Sequence, residues 1–376
     1  MIGAGGNVAT VFAVGWAALR HKLVSTTGLV SALPTFAGLP LADPADWVLG
    51  GHEVELPMRS LAKARKLATA EKLFDPALLP AIEAELAAFD AEVQPGEPAR
   101  DGGSGRSASE LIAQFQRHLS AFRQRHALGS VVVINVASTE PTPAAPLPDS
   151  LVALRAAIKA GETLPVSTLY AYAALDLGDA YINFTPSPGA SSASLDELAA
   201  ERATVHAGSD GKTGETLMKT ALAPMFALRN LRVASWFGQN ILGNDDGRTL
   251  QDPAARGTKV GSKRDALPAI LGYPLESHVG IDYVEALGDW KVAWNHILFD
   301  GFLGTRMSMQ VIWQGADSIL AAPLMIDLVR FVDLARRRGE RGLLPYLGFF
   351  FKRPLGGTEH RLDRQFAALC AHLGVA

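Results

Sequence analysis

The sequence predicts an α/β protein of two domains: a parallel sheet flanked by helices, and a smaller region built on a mainly antiparallel sheet. Three observations carry this expectation. Val131 to Val136 is an almost unbroken β-branched run, the pattern of a strand buried on both faces as in a parallel sheet. Around it, short strand-like segments alternate with stretches of helical periodicity. After Gly214 the character changes, and strand-like runs at 231–237, 279–284, 290–298 and 307–313 follow one another with few long helices between. At 376 residues the chain also exceeds the size at which one hydrophobic core keeps growing.

In chain order, Ile2 leads into Gly3-Ala4-Gly5-Gly6, and the apolar run from Val8 to Leu19 reads as a helix reaching about His21. Only two residues precede the glycines, so the opening strand is short; either the start trims it or a neighbouring strand partly covers for it. Trp47-Val48-Leu49, before Gly50-Gly51, reads as another short strand. Gln94 to Ser109 is rich in Pro, Gly, Ser and charge without apolar periodicity, which marks a solvated or disordered surface loop where no chemistry is expected. Helices over 151–159 and 168–177 lead to a strand at Tyr181-Ile182-Asn183. From Asp317 a long helix carries Leu320, Leu324, Leu328, Phe331 and Leu334 at helical spacing. Arg336-Arg337-Arg338 and Gly339 end it, cations at the negative end of the helix dipole and glycine as the stop. A final helix runs from about Arg361 to Leu373, and these last elements are expected to pack back onto the first domain.

Composition excludes several classes. Lys and Arg number 35 against 38 acidic residues, a net charge of −3 with no basic stripe, so nucleic acid is not an expected partner. Cys370 is the sole cysteine, which rules out an intrachain disulfide and fits a reducing cytoplasm. No stretch reaches the roughly 18 uninterrupted apolar residues of a membrane span. The run after the glycines lacks the basic flank and small-residue cleavage pattern of a signal peptide, so a soluble cytoplasmic protein is expected.

Two loops have the composition of anion sites. Gly3-Ala4-Gly5-Gly6-Asn7-Val8-Ala9 resembles a dinucleotide fingerprint, in which glycines let the backbone approach a pyrophosphate and the helix start supplies N–H groups. The usual third glycine is displaced, and a plain tight turn would read the same way. Glu53, after Gly50-Gly51-His52, suits a ribose-facing acid or a solvated strand end. Gly208 to Thr216, with Asp210, Thr213, Gly214 and Glu215, precedes the helical run 217–228 and can aim N–H groups and hydroxyls at a phosphate. A helix capped by Thr213 or Ser209 is the plain alternative.

Five blocks taken in order are more specific. Gly208 to Thr216, Asn240 to Gly247, Lys259 and Lys263 before Leu271-Gly272-Tyr273, Gly288-Asp289-Trp290-Lys291, and Asp317 to Pro323 together resemble the myo-inositol-phosphate synthase family. The glycine loop, Asn135 to Glu140 and Ile182 to Ser187 extend the resemblance over most of the chain except 94–109. The resemblance implies an NAD-dependent isomerase making myo-inositol monophosphate from glucose 6-phosphate. It implies a Rossmann-like NAD-binding domain over 1–214 completed by 318–376, with an inserted α+β catalytic and tetramerisation domain over 215–317. A homotetramer is the implied assembly. The substrate is oxidised at C5, enolises, closes between C6 and C1, and is reduced again without net redox.

On this resemblance the catalytic residues are Lys259, Lys291, Lys352 and Asp317, and the substrate phosphate meets Lys263, Thr213, Gly214, Glu215 and Thr216. The cofactor meets Gly3, Gly5, Gly6, Asn7, Val8, Glu53, Ala137, Ser138, Thr139, Asp210, Asn244 and Asp245. Fixed ammonium groups are the direct way to hold enolate and alkoxide charge. Lys352 follows three phenylalanines, so partial desolvation should suit it to proton transfer. Asp317 opens a helix and is expected to cap it, to orient a hydroxyl or lysine, or both. Asp246 marks a divalent or monovalent cation site, because two adjacent carboxylates beside a phosphate repel it without one. Thr213-Gly214-Glu215-Thr216 stands where relatives read S-G-Q-T, and the Glu215 carboxylate must turn away or pair with a lysine. Ser138 and Val8-Ala9 also depart from the family pattern. A divergent member cyclising fructose 6-phosphate to a five-membered ring, and a non-catalytic NAD-binding regulator, are the competing readings.

Overall fold

The computed structural model describes residues 1–98, 105–243 and 266–375. The first domain alternates helices and short parallel strands: α1 (Asn7–Arg20), β1 (Gly51–Glu53), α2 (Ser60–Thr69), α3 (Leu79–Ala91), β2 (Val93–Pro95), α4 (Ala108–Arg125), β3 (Val132–Asn135), α5 (Leu151–Ala160), α6 (Val166–Asp176), β4 (Ala180–Asn183), α7 (Ala193–Glu201) and β5 (Val205–Gly208). β3, β4 and β5 pair in parallel in sequence order, as expected for their apolar runs, and β10 (Gly342–Leu343) adds at the β5 edge.

Ile2 joins β3 to β1. Its N–H donates to Ile134 O at 2.9 Å and its carbonyl accepts from Val136 N–H at 2.9 Å, while Met1 O accepts from His52 N–H at 2.9 Å. The short opening strand is thus a single bridging residue at the centre of a sheet ordered β2-β1-Ile2-β3-β4-β5-β10, held by both neighbours. Trp47-Val48-Leu49 is not a strand, contrary to the sequence expectation. Asp43 caps a 3₁₀ turn at Pro44–Asp46, the Trp16 indole donates to Pro44 O at 2.8 Å, and pairing starts only at Gly51. A Cβ there would lie 2.6 Å from Met1 O, so glycine sets where the strands meet.

After Gly214 come α8 (Glu215–Leu228), β6 (Arg232–Leu242), α9 (Ala266–Leu271), β7 (Glu276–Tyr283), β8 (Trp290–Asp300) and β9 (Arg306–Ala316). This second sheet is ordered β7-β6-β8-β9, antiparallel for β6/β8 and β8/β9 and parallel for β6/β7. A register shift between Val233 and Ser235 brings Val233 and Trp236, three positions apart, to one face of β6, where they and Ile297 form a core with Met218 and Phe226 of α8 and Leu267 of α9. The next residues in each strand, such as Phe237 and Ile312, face outward.

The chain then returns to the first sheet, as expected. α10 (Asp317–Arg337) buries Met325, Leu328, Phe331 and Val332 against Phe12 of α1, Ile134 of β3 and Ile182 of β4, and α11 (Leu362–Leu373) closes the same core. Its arginines are structural: Arg336 donates to Gly178 O at 3.0 Å and Arg337 pairs with Asp333 at 2.8 Å before Gly339 turns at φ +76°. A cavity of about 680 Å³ lies beneath Met1, between 47–50 and 130–133. It sits at the amino ends of the strands; in such sheets ligands bind at the carboxyl ends, where the glycine loop lies.

Candidate active site

The glycine loop links Ile2 to α1. Gly3 has φ +81°, and a Cβ on it would stand 2.6 Å from Ala137 Cα, so only glycine lets the loops after Ile2 and β3 approach this closely. Gly6 precedes α1 without a side-chain cap, and the first turn of α1 holds no acid. Its N–H groups therefore keep the positive end of the helix dipole open to a pyrophosphate, which fits a dinucleotide. Gly5 N–H donates to Glu53 Oε2 at 2.5 Å, which brings the carboxylate onto the loop from the end of β1 rather than into solvent. Gly5, Gly6, Glu53, Ala137 and Ser138 line one cavity of about 710 Å³. Gly6, Asn7, Val8, Ala137, Ser138 and Thr139 line a second of about 230 Å³, which is the candidate site.

The opposite wall of that site comes from Asp210, Thr213, Lys291, Asp317 and Lys352. Asp210, at φ +63°, follows β5; its carbonyl accepts from Lys352 N–H at 2.6 Å and its Oδ1 accepts from Lys352 Nζ at 2.8 Å. The C-terminal segment thereby delivers one lysine to the loop after β5. Lys291, on β8, reaches Asp317 Oδ2 at 3.5 Å, and Thr213 Oγ1 donates to Asp317 Oδ1 at 3.3 Å. A Cβ on Gly214 would lie 3.5 Å from Lys291 Nζ, so this ammonium sits against the start of α8. Lys291 is buried and Lys352 half-buried, so neither is a solvated surface cation.

The capping alternatives fail here. Gly214, not Thr213 or Ser209, stands at the N-cap of α8, and Ala316 stands at that of α10, each without a side-chain cap. Asp317 is the first residue inside its helix and meets Thr213 and Lys291 with its carboxylate. Asp210 Oδ2, a buried atom of the wall, has no hydrogen-bond partner among the described residues, which suits a polar ligand group, and Thr216 Oγ1 in the first turn of α8 is likewise unpartnered.

Glu215 both turns away and pairs with a lysine. Its carboxylate meets Lys219 Nζ at 2.9 Å and accepts from Asn240 Nδ2 at 2.7 Å, with both charged side chains 1% exposed. A Cβ on Gly238 would lie 2.4 Å from Glu215 Oε1, so β6 uses glycine to make room for it. The side chain is therefore not among the residues that line the cavity, as the expected turn away from it requires, and only its backbone stands at the helix start.

Asn7 lines the candidate site, and its side chain has a partner from far along the chain. Its Nδ2 donates 3.1 Å to Asp289 Oδ1, and Asp289 also receives Ser318 N–H at 3.2 Å. Burial raises the Asp289 carboxyl above the usual carboxylate range, opposed by the hydrogen bonds from Ser318 and Asn7 and reinforced by the nearby Asp317 charge. Sequence reasoning placed Asp289 in a motif without a role, and it missed Glu71, whose Oε2 accepts from Asp289 N–H at 3.1 Å. The acid two positions before Lys291 was the available signal. Lys212 was also passed over: burial lowers it to about 7, and its Nζ meets Gln365 on α11, away from the cavity. Lys259, Lys263, Asn244, Asp245 and the proposed cation ligand Asp246 lie outside the described residues. Among the described residues no group of three His, Cys, Asp or Glu is placed to hold a metal ion.

Known proteins can be set beside this geometry. The inositol-3-phosphate synthase 1 of Bacteroides thetaiotaomicron is 34% identical over 96% of this chain and 90% of its own length. The Populus euphratica and Bos taurus proteins of the same name are 28% and 30% identical, and the chain spans 62% and 48% of their lengths. Two solved structures share the fold over the whole chain. One is the Caenorhabditis elegans inositol-3-phosphate synthase, with TM-score 0.86, 22% identity and 84% of that chain covered. The other is a myo-inositol-1-phosphate synthase-related protein of Thermotoga maritima, with TM-score 0.80, 23% identity and 97% covered. A family model described as myo-inositol-1-phosphate synthase, an NAD-binding family, matches residues 1–373, and the chain belongs to that family.

Proposed function

We propose that the chain is an NAD-dependent isomerase that closes glucose 6-phosphate into myo-inositol monophosphate. The observation that carries this reading is the meeting of Lys291–Asp317 and Lys352–Asp210 on one cavity beside the glycine loop. Gly3, Gly5, Gly6, Asn7, Val8, Glu53 and 137–139 would hold NAD, with Asp210 at its sugar-facing side. NAD held there would supply a hydride acceptor for C5 and the same hydride for the ring ketone, so the reaction would have no net redox change.

The chain's own groups do the rest. Lys352, held by Asp210, relays the C5 hydroxyl proton as the ketone forms: it passes one ammonium proton to the Asp210 carboxylate as it takes up the hydroxyl proton, and both transfers reverse at the end. Lys291, aligned by Asp317, stabilises the enolate left when a C6 proton passes to an oxygen of the substrate's own phosphate, and then the C1 alkoxide formed as C6 bonds to C1 and the aldehyde π bond opens; the alkoxide takes that proton back. Preorganised ammonium groups in a half-buried site resist the reorganisation that water would impose on both charges. The first turn of α8, with Thr213 and Thr216, takes the phosphate, and Lys259 and Lys263 complete the catalytic and phosphate sets. A divalent or monovalent cation at Asp246, beside Asn244 and Asp245, belongs to the same reading.

The division into 1–214 with 318–376 and 215–317 follows the two sheets. Homotetramers are proposed to form on the outward face of the second sheet. A cytoplasmic setting suits the single, buried Cys370; no described helix is long and apolar enough to cross a membrane. Incubation with NAD and glucose 6-phosphate, read by NMR, is expected to give an inositol monophosphate without NADH accumulating. Turnover of fructose 6-phosphate instead would establish the five-membered product, and NAD binding without turnover of either would favour a regulatory role.

A further inference from the structure

We propose that Asp289 is a positioning residue that couples the glycine loop to the Lys291–Asp317 pair, through Asn7 on one side and Ser318 on the other; this rests on the reading above. Asp289 is 1% exposed and lies two residues before Lys291. Its Oδ1 accepts from Asn7 Nδ2 at 3.1 Å. Its Oδ2 accepts from the N–H of Ser318 at 3.2 Å and also from the Ser318 hydroxyl. Its carbonyl accepts from Asp317 N–H at 3.4 Å.

The segment that carries Asp289 is pinned from the first domain. Glu71 Oε2 accepts from Asp289 N–H at 3.1 Å, and Glu71 O accepts from the Trp290 indole at 2.8 Å. Gly288 turns at φ +57°, where a Cβ would fall 1.5 Å from the Glu71 carboxylate, so the close approach requires glycine. A fixed carboxylate thus offers its two oxygens to donors on different elements, and a side chain of this size with two acceptors and no donor is an aspartate. Asn7 is the first residue of α1 and Ser318 the second of α10, so one carboxylate sets the start of the helix facing the cofactor and the start of the helix carrying Asp317. A loop that shifts on cofactor binding moves Asn7, and through Asp289 the shift reaches the carboxylate that aligns Lys291.

The test is a cycle of Asn7→Ala, Asp289→Ala and the double variant, read by NAD titration without sugar and by steady-state turnover. Coupling predicts that each single change weakens NAD about tenfold and the pair no more than either alone, the non-additivity of residues acting as a unit. It also predicts that Asp289→Ala lowers kcat about a hundredfold with the phosphosugar KM within about threefold, as for lost alignment rather than lost binding. Asp289→Asn should recover most of the loss, since its amide oxygen still accepts from Ser318 and its NH2 can meet a turned-over Asn7 amide. Additive effects on NAD affinity, or a kcat loss with KM rising well beyond threefold and no rescue by Asp289→Asn, would overturn the coupling. Should Asp289→Ala not fold, Asn7→Ala against Ser318→Ala gives the same cycle, because among the described residues these side chains meet through Asp289. A wild-type enzyme that turns over no phosphosugar defeats the functional reading while the NAD cycle still decides the coupling.

Discussion

Lys291 Nζ lies 3.5 Å from Asp317 Oδ2, an ion pair joining a strand of the second sheet to the helix that returns to the first. The pair lines the cavity, and in the proposed mechanism it orients Lys291 toward the reacting oxygens as they pass from neutral to anionic. Lys291→Ala is expected to lower kcat by about a hundred- to a thousandfold, the range for removing one preorganised oxyanion donor. NAD affinity should stay nearly unchanged, because Lys291 approaches the start of α8 and not the glycine loop. Wild-type turnover in this variant would remove Lys291 from the mechanism.

Glu215 and Lys219 make a buried pair in which each partner is worth keeping only while the other is present. Removing one leaves an uncompensated buried charge at a cost of about 3–5 kcal/mol, whereas replacing both by apolar or neutral groups of similar size is close to neutral. Glu215→Gln is therefore expected to lower the unfolding free energy by about 3 kcal/mol, although relatives are expected to carry glutamine at this position. Lys219→Met should do the same, and the double variant should restore most of the loss. Urea unfolding of the three proteins decides it; an additive double variant would show that the ion pair is not the cause.

Much of this architecture was legible because it is written in local patterns. The β-branched run at 131–136 gave β3, the period-two runs after 231 gave the second sheet, and leucines at helical spacing gave α10 and its return to the first core. The lysines at 291 and 352 were legible as members of a set, since each lies in a block of ordered residues. What escaped were contacts between residues far apart in the chain. Asn7 and Asp289 are separated by 282 positions, and Glu71 and Asp289 by 218. No local periodicity encodes such a bond. Of the two roles read for Asp317, capping and orienting a hydroxyl or lysine, its carboxylate takes the second, meeting the Thr213 hydroxyl and Lys291. Trp47-Val48-Leu49 has strand-like composition, yet the pairing geometry at Gly51 placed the strand four residues later.

The outward face of the second sheet is expected to be a subunit interface. Phe237 stacks on His278 with centroids 4.6 Å apart and meets Trp294 edge-on at 5.8 Å, while Ile312 on β9 is 70% exposed. Contiguous aromatic and aliphatic groups on one exposed face are more than the scattered apolar residues of an ordinary surface. Light scattering should give a mass four times the 39.9 kDa of the chain. Ile312→Asp should reduce it, because a charge desolvated at a packed interface costs about 2 kcal/mol or more per contact. A monomer mass for the wild type would remove the tetramer.

Asp327, on α10, gives the pH dependence of stability a defined sign. Its carboxylate accepts from Val30 N–H at 2.8 Å and Ser31 N–H at 2.9 Å, tying the 22–48 segment to the helix, and burial raises its pKa from 3.8 to about 6 despite those bonds. Between those values the folded chain holds a proton that the unfolded chain has lost. The stabilisation is therefore fully present below 3.8 and is lost as pH rises through about 6. Two pKa units correspond to roughly 3 kcal/mol, on the order of what this site contributes to the slope. Asp327→Asn cannot titrate, so the difference in unfolding free energy between wild type and variant should fall as pH rises from 4 to 6.5. A difference that is flat across that window would mean the carboxyl ionises as easily in the folded chain as in the unfolded one.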